Sequence, residues 1–175
     1  RPTPTPESVC GPVTVGISPS VPEEWTAPLL AILNATGEVQ TATGPQPLSV
    51  LDQPDNAQAQ AVLLPAPEAN HPLATRVLAA VAPFATIRDD VTYAELQGRW
   101  RDPSAGGLLV TDEAARWLSG LWGAKSAGVE IVSAADMDAR LEGTPGALGI
   151  VAFEQLDPRL KALTVDGFNV LSNTF

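Results

Sequence analysis

The feature that most constrains this chain is a rhythm of short apolar runs alternating with capped helical stretches. Val13 to Ile17 (VTVGI) reads as a first strand. Ser20-Val21-Pro22-Glu23 then opens a helix, with Ser20 as N-cap, Glu23 closing a capping box and Pro22 tolerated in the first turn. That helix carries Trp25, Leu29, Leu30, Ile32 and Leu33 and ends near Asn34 to Gly37. Val39 to Thr43 and Leu48 to Leu51 are expected strands, separated by a turn at Gly44-Pro45. Ala61 to Leu64 is a strand stopped by Pro65, and Arg76 to Val81 is another. Thr92 to Glu95 repeats the capping-box pattern and opens a helix through Trp100. Leu108 to Val110 leads into a helix capped by Thr111 and stopped by Gly123 after Trp122. Val129 to Val132, a helix from Ser133 to Leu141, Leu148 to Val151 and Ala162 to Val165 complete the series. Such alternation predicts an α/β fold, a mostly parallel sheet flanked by helices, with ligands taken at the carboxyl ends of its strands. The four tryptophans all fall on predicted helices and are expected to pack into a core.

With 175 residues, 45% of them apolar, the chain can bury a core as one domain or two small lobes. A formal charge of −10 argues against nucleic acid, which requires a basic surface, and against an anionic membrane surface for the same reason. No apolar run reaches the roughly 18–20 residues that span a bilayer. Arg1-Pro2-Thr3-Pro4-Thr5-Pro6 reads as an extended linker, residues 1–12, expected to tether the folded part to a signal or lipid anchor upstream. An extracytoplasmic location is therefore expected. The single Cys10 has no second cysteine to pair with and no clustered His to build a metal site. Asn34-Ala35-Thr36 matches a glycosylation acceptor, but three-residue matches arise by chance, and a helix end is the simpler reading.

The constellations that would carry catalysis fail one by one. The lone His71 lies in a turn-like Asn70-His71-Pro72, and no G-x-S-x-G elbow supplies a nucleophile for it. Gly120 to Ser126 has the outline of a phosphate loop. It places Ala124 where the motif needs glycine, and it follows a helix rather than a strand. The pairs Glu23-Glu24 and Asp112-Glu113 sit in first helical turns, where acids favour the positive end of the dipole, and Asp89-Asp90 lacks spaced partners for a metal. The sequence thus predicts no enzyme, no cofactor and no metal in this stretch of chain.

Two blocks carry a family pattern. RVLAAVAPFATIRDDVTYAELQGRW (Arg76 to Trp100) resembles the crossover of type II periplasmic solute-binding proteins of the phosphate-binding kind. GALGIVAFEQLDPRLKALTVDGFN (Gly146 to Asn169) resembles the same family's return crossover. The closer resemblance is to the reduced version found ahead of CapA-type poly-γ-glutamate or capsule synthesis domains. It implies a discontinuous first lobe, residues 13–81 plus 148–175, a second lobe, residues 82–147, and a further domain downstream. It also implies a small polar solute, or a cell-envelope polymer, surrounded by Ser18, Ser20, Pro65 through Glu68, the hinge residues Pro83 and Phe84, Thr111, Asp112 and Phe153. One departure bears on the ligand. Where the family places small residues at a helix opening, this chain reads Thr111-Asp112-Glu113. Two carboxylates there repel phosphate, and Asp112 suits an amine. A second role compatible with the resemblance is an accessory domain of a larger envelope protein, binding glycan, peptide or another protein domain.

Overall fold

The computed structural model of the chain describes residues 11–19, 21, 23–51, 59, 61–63 and 75–172. Its contacts group into two compact units divided between residues 65 and 66. Among the described residues no helix is long and apolar enough to cross a membrane. The expected cap Ser20, as well as Pro22, Pro65, Glu68, Cys10, His71 and the Thr/Pro stretch, fall outside the described residues.

The first unit is a four-stranded sheet. Strand β1 (Val13–Ile17) is followed by α1 (Glu23–Thr36), β2 (Glu38–Thr41), β3 (Gly44–Leu51) and β4 (Ala61–Leu63), in the spatial order β2-β3-β1-β4. β1 runs parallel to β3 and β4, while β2 and β3 form an antiparallel hairpin. The hairpin turn corrects the expected one. It lies at Ala42-Thr43, and Gly44-Pro45 already belongs to β3, pairing with Thr41 and Gln40. β3 tolerates Pro45 and Pro47 because Leu48 N–H points to β2, donating to Gly37 O at 2.9 Å. Alternation then turns residues 45 and 47 toward the other side, where pairing with β1 begins only at Leu48. No ladder bond is lost. α1 ends as expected at the glycosylation-like triplet: Thr36 Oγ1 bonds Ile32 O at 2.8 Å, and Gly37 takes φ +63°.

The second unit is built on a five-stranded sheet. β5 (Leu78–Pro83) and β6 (Asp90–Val91) precede α2 (Tyr93–Arg101). β7 (Leu108–Val110), α3 (Asp112–Trp122), β8 (Val129–Ile131), α4 (Met137–Glu142), β9 (Leu148–Ala152), β10 (Leu160–Ala162) and β11 (Thr164–Val165) follow. The sheet order is β10-β5-β9-β7-β8. β7 is parallel to β8 and β9, whereas β5 runs antiparallel to both β9 and β10. The strands Leu78–Pro83 and Leu148–Ala152 thus lie side by side in the same sheet as Leu108–Val110.

Alternation along the strands splits the buried side chains between two faces. Ala80, Ala82, Leu108, Val110, Leu148 and Ile150 meet Leu96 and Trp100 of α2 and Ala114, Leu118 and Trp122 of α3. Ala79, Val81, Leu109 and Val151 meet Met137 and Leu141 of α4. A sheet covered on both faces explains why these strands are continuous apolar runs rather than alternating ones. Trp100 and Trp122 pack edge-on at 5.9 Å between ring centroids, and Trp122 meets Tyr93 at 5.4 Å, contacts worth roughly 1 kcal/mol each beyond their burial. The expected core role of these two tryptophans is what the packing displays.

Three expectations are adjusted. The helix expected from Ser133 is shorter, because Ser133 Oγ and Asp136 Oδ2 bond each other at 2.7 Å in a local turn, and α4 begins at Met137. The strand expected at Ala162 to Val165 is split at Leu163, whose N–H bonds Ala80 O before the chain moves on to pair with β6. The capping box at α2 is half formed. Thr92 Oγ1 accepts from Glu95 N–H at 3.1 Å, but the Glu95 carboxylate is drawn away to Arg88 and Arg99 instead of reaching back.

Candidate functional site

The carboxyl ends of β7 and β9 gather the most chemistry in the second unit. Thr111 follows β7 and is 3% exposed. Its N–H donates to Ile150 O at 3.2 Å, tying it to β9, and its Oγ1 accepts from Ala114 N–H at 3.4 Å, capping α3. The side chain expected at a ligand is thus already engaged as a cap. Asp112, at the first helical position, is 69% exposed and pairs with Arg116 one turn on at 2.8 Å.

Glu113 turns inward and is only 11% exposed. One of its oxygens is bound by the Arg76 guanidinium, the other accepts from Gln155 Nε2 at 3.1 Å. Arg76 also lies 3.5 Å from the more exposed Glu154. The topology brings these residues together. Because β5 is antiparallel to β9, its beginning lies at the end of β9, with Leu78 opposite Ala152. Phe153 N–H donates to Val77 O at 3.0 Å and closes that corner. Phe153 to Gln155 form a single 3-10 turn that aims Gln155 at α3, while Phe153 stays 40% exposed. Gln155 Oε1 is buried with no hydrogen-bond partner among the described residues.

Of the expected site residues, Thr111, Asp112 and Phe153 therefore share one edge. Pro83 and Phe84 do not. Five residues of extended chain, roughly 16 Å, separate Leu78 from Pro83, which pairs with Leu160 at the far end of the sheet. The antiparallel direction of β5 is the reason: its carboxyl end points away from the carboxyl ends of β7 and β9. Phe84 is 74% exposed there. Pro83 lines a shallow groove of about 350 Å³ with Thr86, Arg88, Glu142 and Ala147. In that groove Arg88 is already committed to Glu95, which lies at the helix side of the same corner. In the first unit, Ser18 lies just beyond β1, its N–H donating to Leu63 O at 2.8 Å and its carbonyl accepting from Val21 N–H.

Arg76 and Gln155 were absent from the sequence-based reading, which had Glu113 only as a second repelling carboxylate at the helix opening. An arginine opening an otherwise apolar strand was the available signal for Arg76. Nothing in linear spacing links it to a glutamate 37 residues later, because pairing of β5 with β9 makes that contact.

Electrostatics at the opposite corner are dominated by Glu95. The Arg88 guanidinium bound to it, helped by Arg99 and resisted by partial burial, holds its carboxyl below the usual value of 4.5. Arg99 is itself buried and donates to Gly107 O and Gly146 O, each at 2.9 Å, so its charge knits two loops together.

No protein-family model matches the chain, and no curated protein matches its sequence. Among solved structures, it is similar to an ABC-type phosphate transport receptor from Vibrio cholerae at 14% identity and a TM-score of 0.55, covering 91% of this chain and 78% of that one. A putative phosphate ABC transporter substrate-binding protein from Clostridium perfringens, with bound phosphate, matches at 12% identity and a TM-score of 0.42, over 91% of this chain and 77% of its own. A possible phosphate binding protein from Planctomyces limnophilus matches at 16% identity and 0.42, over 90% and 71%. Parallel strands flanked by helices, together with the similarity to the Vibrio receptor, give this chain a periplasmic-binding-protein-like α/β fold.

Proposed function

We propose that this chain is an extracytoplasmic solute-binding module, acting by binding and not by catalysis, and that it takes a small polar solute at the carboxyl ends of β7 and β9. The observation that carries this reading is the convergence there of Thr111, Asp112, the Arg76–Glu113–Gln155 cluster and the half-exposed ring of Phe153. A few oriented polar groups beside an aromatic surface suit recognition of a small molecule. In this reading residues 13–81 plus 148–175 form one lobe and 82–147 the other. Leu78–Pro83 and Leu148–Ala152 are then the outgoing and returning connections, which suits their antiparallel pairing.

A second reading is an accessory domain of a CapA-like envelope protein that binds a polymer or a protein. It is favoured by the fact that Asp112 and Glu113 each already have an arginine partner. Thermal unfolding against a panel of amino acids, amines, sugars and inorganic oxyanions separates the two. A solute at a hundred times its dissociation constant stabilises the native state by about 2.7 kcal/mol, a shift of several degrees. If no member of the panel shifts the midpoint and the protein is retained on immobilised envelope polymer, the accessory reading replaces the first.

A further inference from the structure

The charge that a solute can carry is set by what the residues at this edge still have to offer. Glu113 is nearly buried, and both of its oxygens are taken, one by a guanidinium and one by an amide N–H. Guanidinium and amide donors converging on two oxygens form the donor set that a small oxyanion would otherwise use. Around them, Asp112 and Glu154 are exposed while Arg116 and Arg76 are their only ion-pair partners among the described contacts of this edge. Among the described residues, this edge thus holds one carboxylate more than it holds guanidinium groups.

Resting on the solute-binding reading, we propose that Glu113 is the specificity-determining residue of this site. Its carboxylate occupies Arg76 and Gln155 from within, so small oxyanions are refused and neutral or cationic polar solutes are taken. An incoming phosphate would have to displace a carboxylate held on both oxygens, then sit beside Glu154, which lies 3.5 Å from Arg76. Like charges within a few ångströms at a partly desolvated edge oppose that strongly.

The test is calorimetric titration of wild type, Glu113→Ala and Glu113→Gln with inorganic phosphate and with sulfate, against a chloride control of equal ionic strength. Wild type is expected to show no saturable oxyanion binding. Both variants are expected to gain it, at least about tenfold tighter than any wild-type response, and Arg76→Met in the Glu113→Ala background is expected to abolish the gain. Saturable phosphate or sulfate binding by wild type overturns the proposal, even if neither variant folds. So does an oxyanion response in a folded variant, as judged by circular dichroism, that equals the wild type's. Failure of the solute-binding reading looks different. Wild type would then respond to no solute at all, while the gain of oxyanion binding on removing Glu113 would remain measurable.

Discussion

The Asp166 carboxylate accepts a hydrogen bond from the Tyr93 N–H at 3.1 Å, although 73 residues separate the two. Asp166 occupies the turn Val165-Asp166-Gly167-Phe168, with φ of +46° at Asp166 and +87° at Gly167, and Phe168 N–H bonds Val165 O at 2.8 Å. Positive φ at both central residues is the geometry that Asp-Gly favours in tight hairpins. The Asp166 N–H in turn donates to Val91 O at 3.1 Å. The short turn therefore fastens the start of α2 to the end of β11.

Asp166→Ala is expected to destabilise the chain by about 2 kcal/mol, from a lost hydrogen bond to a helix N-terminus plus a strained left-handed alanine. Asp166→Asn, which keeps an acceptor and tolerates that φ, should cost less than about 1 kcal/mol. Urea denaturation of the pair measures both, and equal losses would show that the hydrogen bond contributes nothing.

Gly149→Ala is expected to cost roughly 1–3 kcal/mol by overpacking. An added Cβ would stand 2.6 Å from Val81 Cγ2 and 3.1 Å from Met137 Sδ, in the centre of the sheet's α4-facing core. Val81→Ala in the same chain should recover part of the loss, because it removes the nearest clashing atom. Chemical denaturation of the single and double variants checks the recovery.

Acid should weaken the second unit through Glu95. Its folded-state carboxyl lies below 4.5 because Arg88 is bound to it, so the unfolded chain takes up the proton first as pH falls. Stability from this group is fully present above about pH 5 and is lost progressively as pH drops through the folded value. Glu95→Gln should therefore be less stable than wild type near neutral pH and should lose less stability on acidification. Parallel melting curves from about pH 6 to about pH 3 that fall with the same slope for both proteins would contradict this.

Thr111→Val keeps the shape of a buried side chain but removes the oxygen that caps α3 at Ala114. A loss of about 1 kcal/mol is expected, with Thr111→Ser close to wild type. If the solute-binding reading holds, Thr111→Val should also lower the midpoint shift produced by whichever panel member stabilises wild type. A thermal-shift series on both variants reads the two effects separately.

Most elements of the second unit were legible in local patterns. Thr92 and Thr111 announced their helices because a side-chain oxygen three residues before a free N–H acts locally, and both accept the expected bonds. The apolar runs at Leu108 and Leu148 announced buried strands for a similarly local reason. Where local signals misled, a longer-range partner had a stronger claim. Glu95 left its capping box for two arginines, and the strand near Ala162 broke because Leu163 bonds Ala80 while Thr164 bonds Asp89.

Sequence by itself determined the α/β character, the Thr92 and Thr111 caps, the charge of the chain and the presence of two acids at the opening of α3. Tertiary structure alone decided which residues meet at that opening. The direction of β5 against β9 delivered Arg76 and Gln155 to Glu113 and carried Pro83 and Phe84 to the far end of the sheet. Strand direction in a sheet is settled by pairing between segments far apart in the chain, and no periodicity within either segment encodes it.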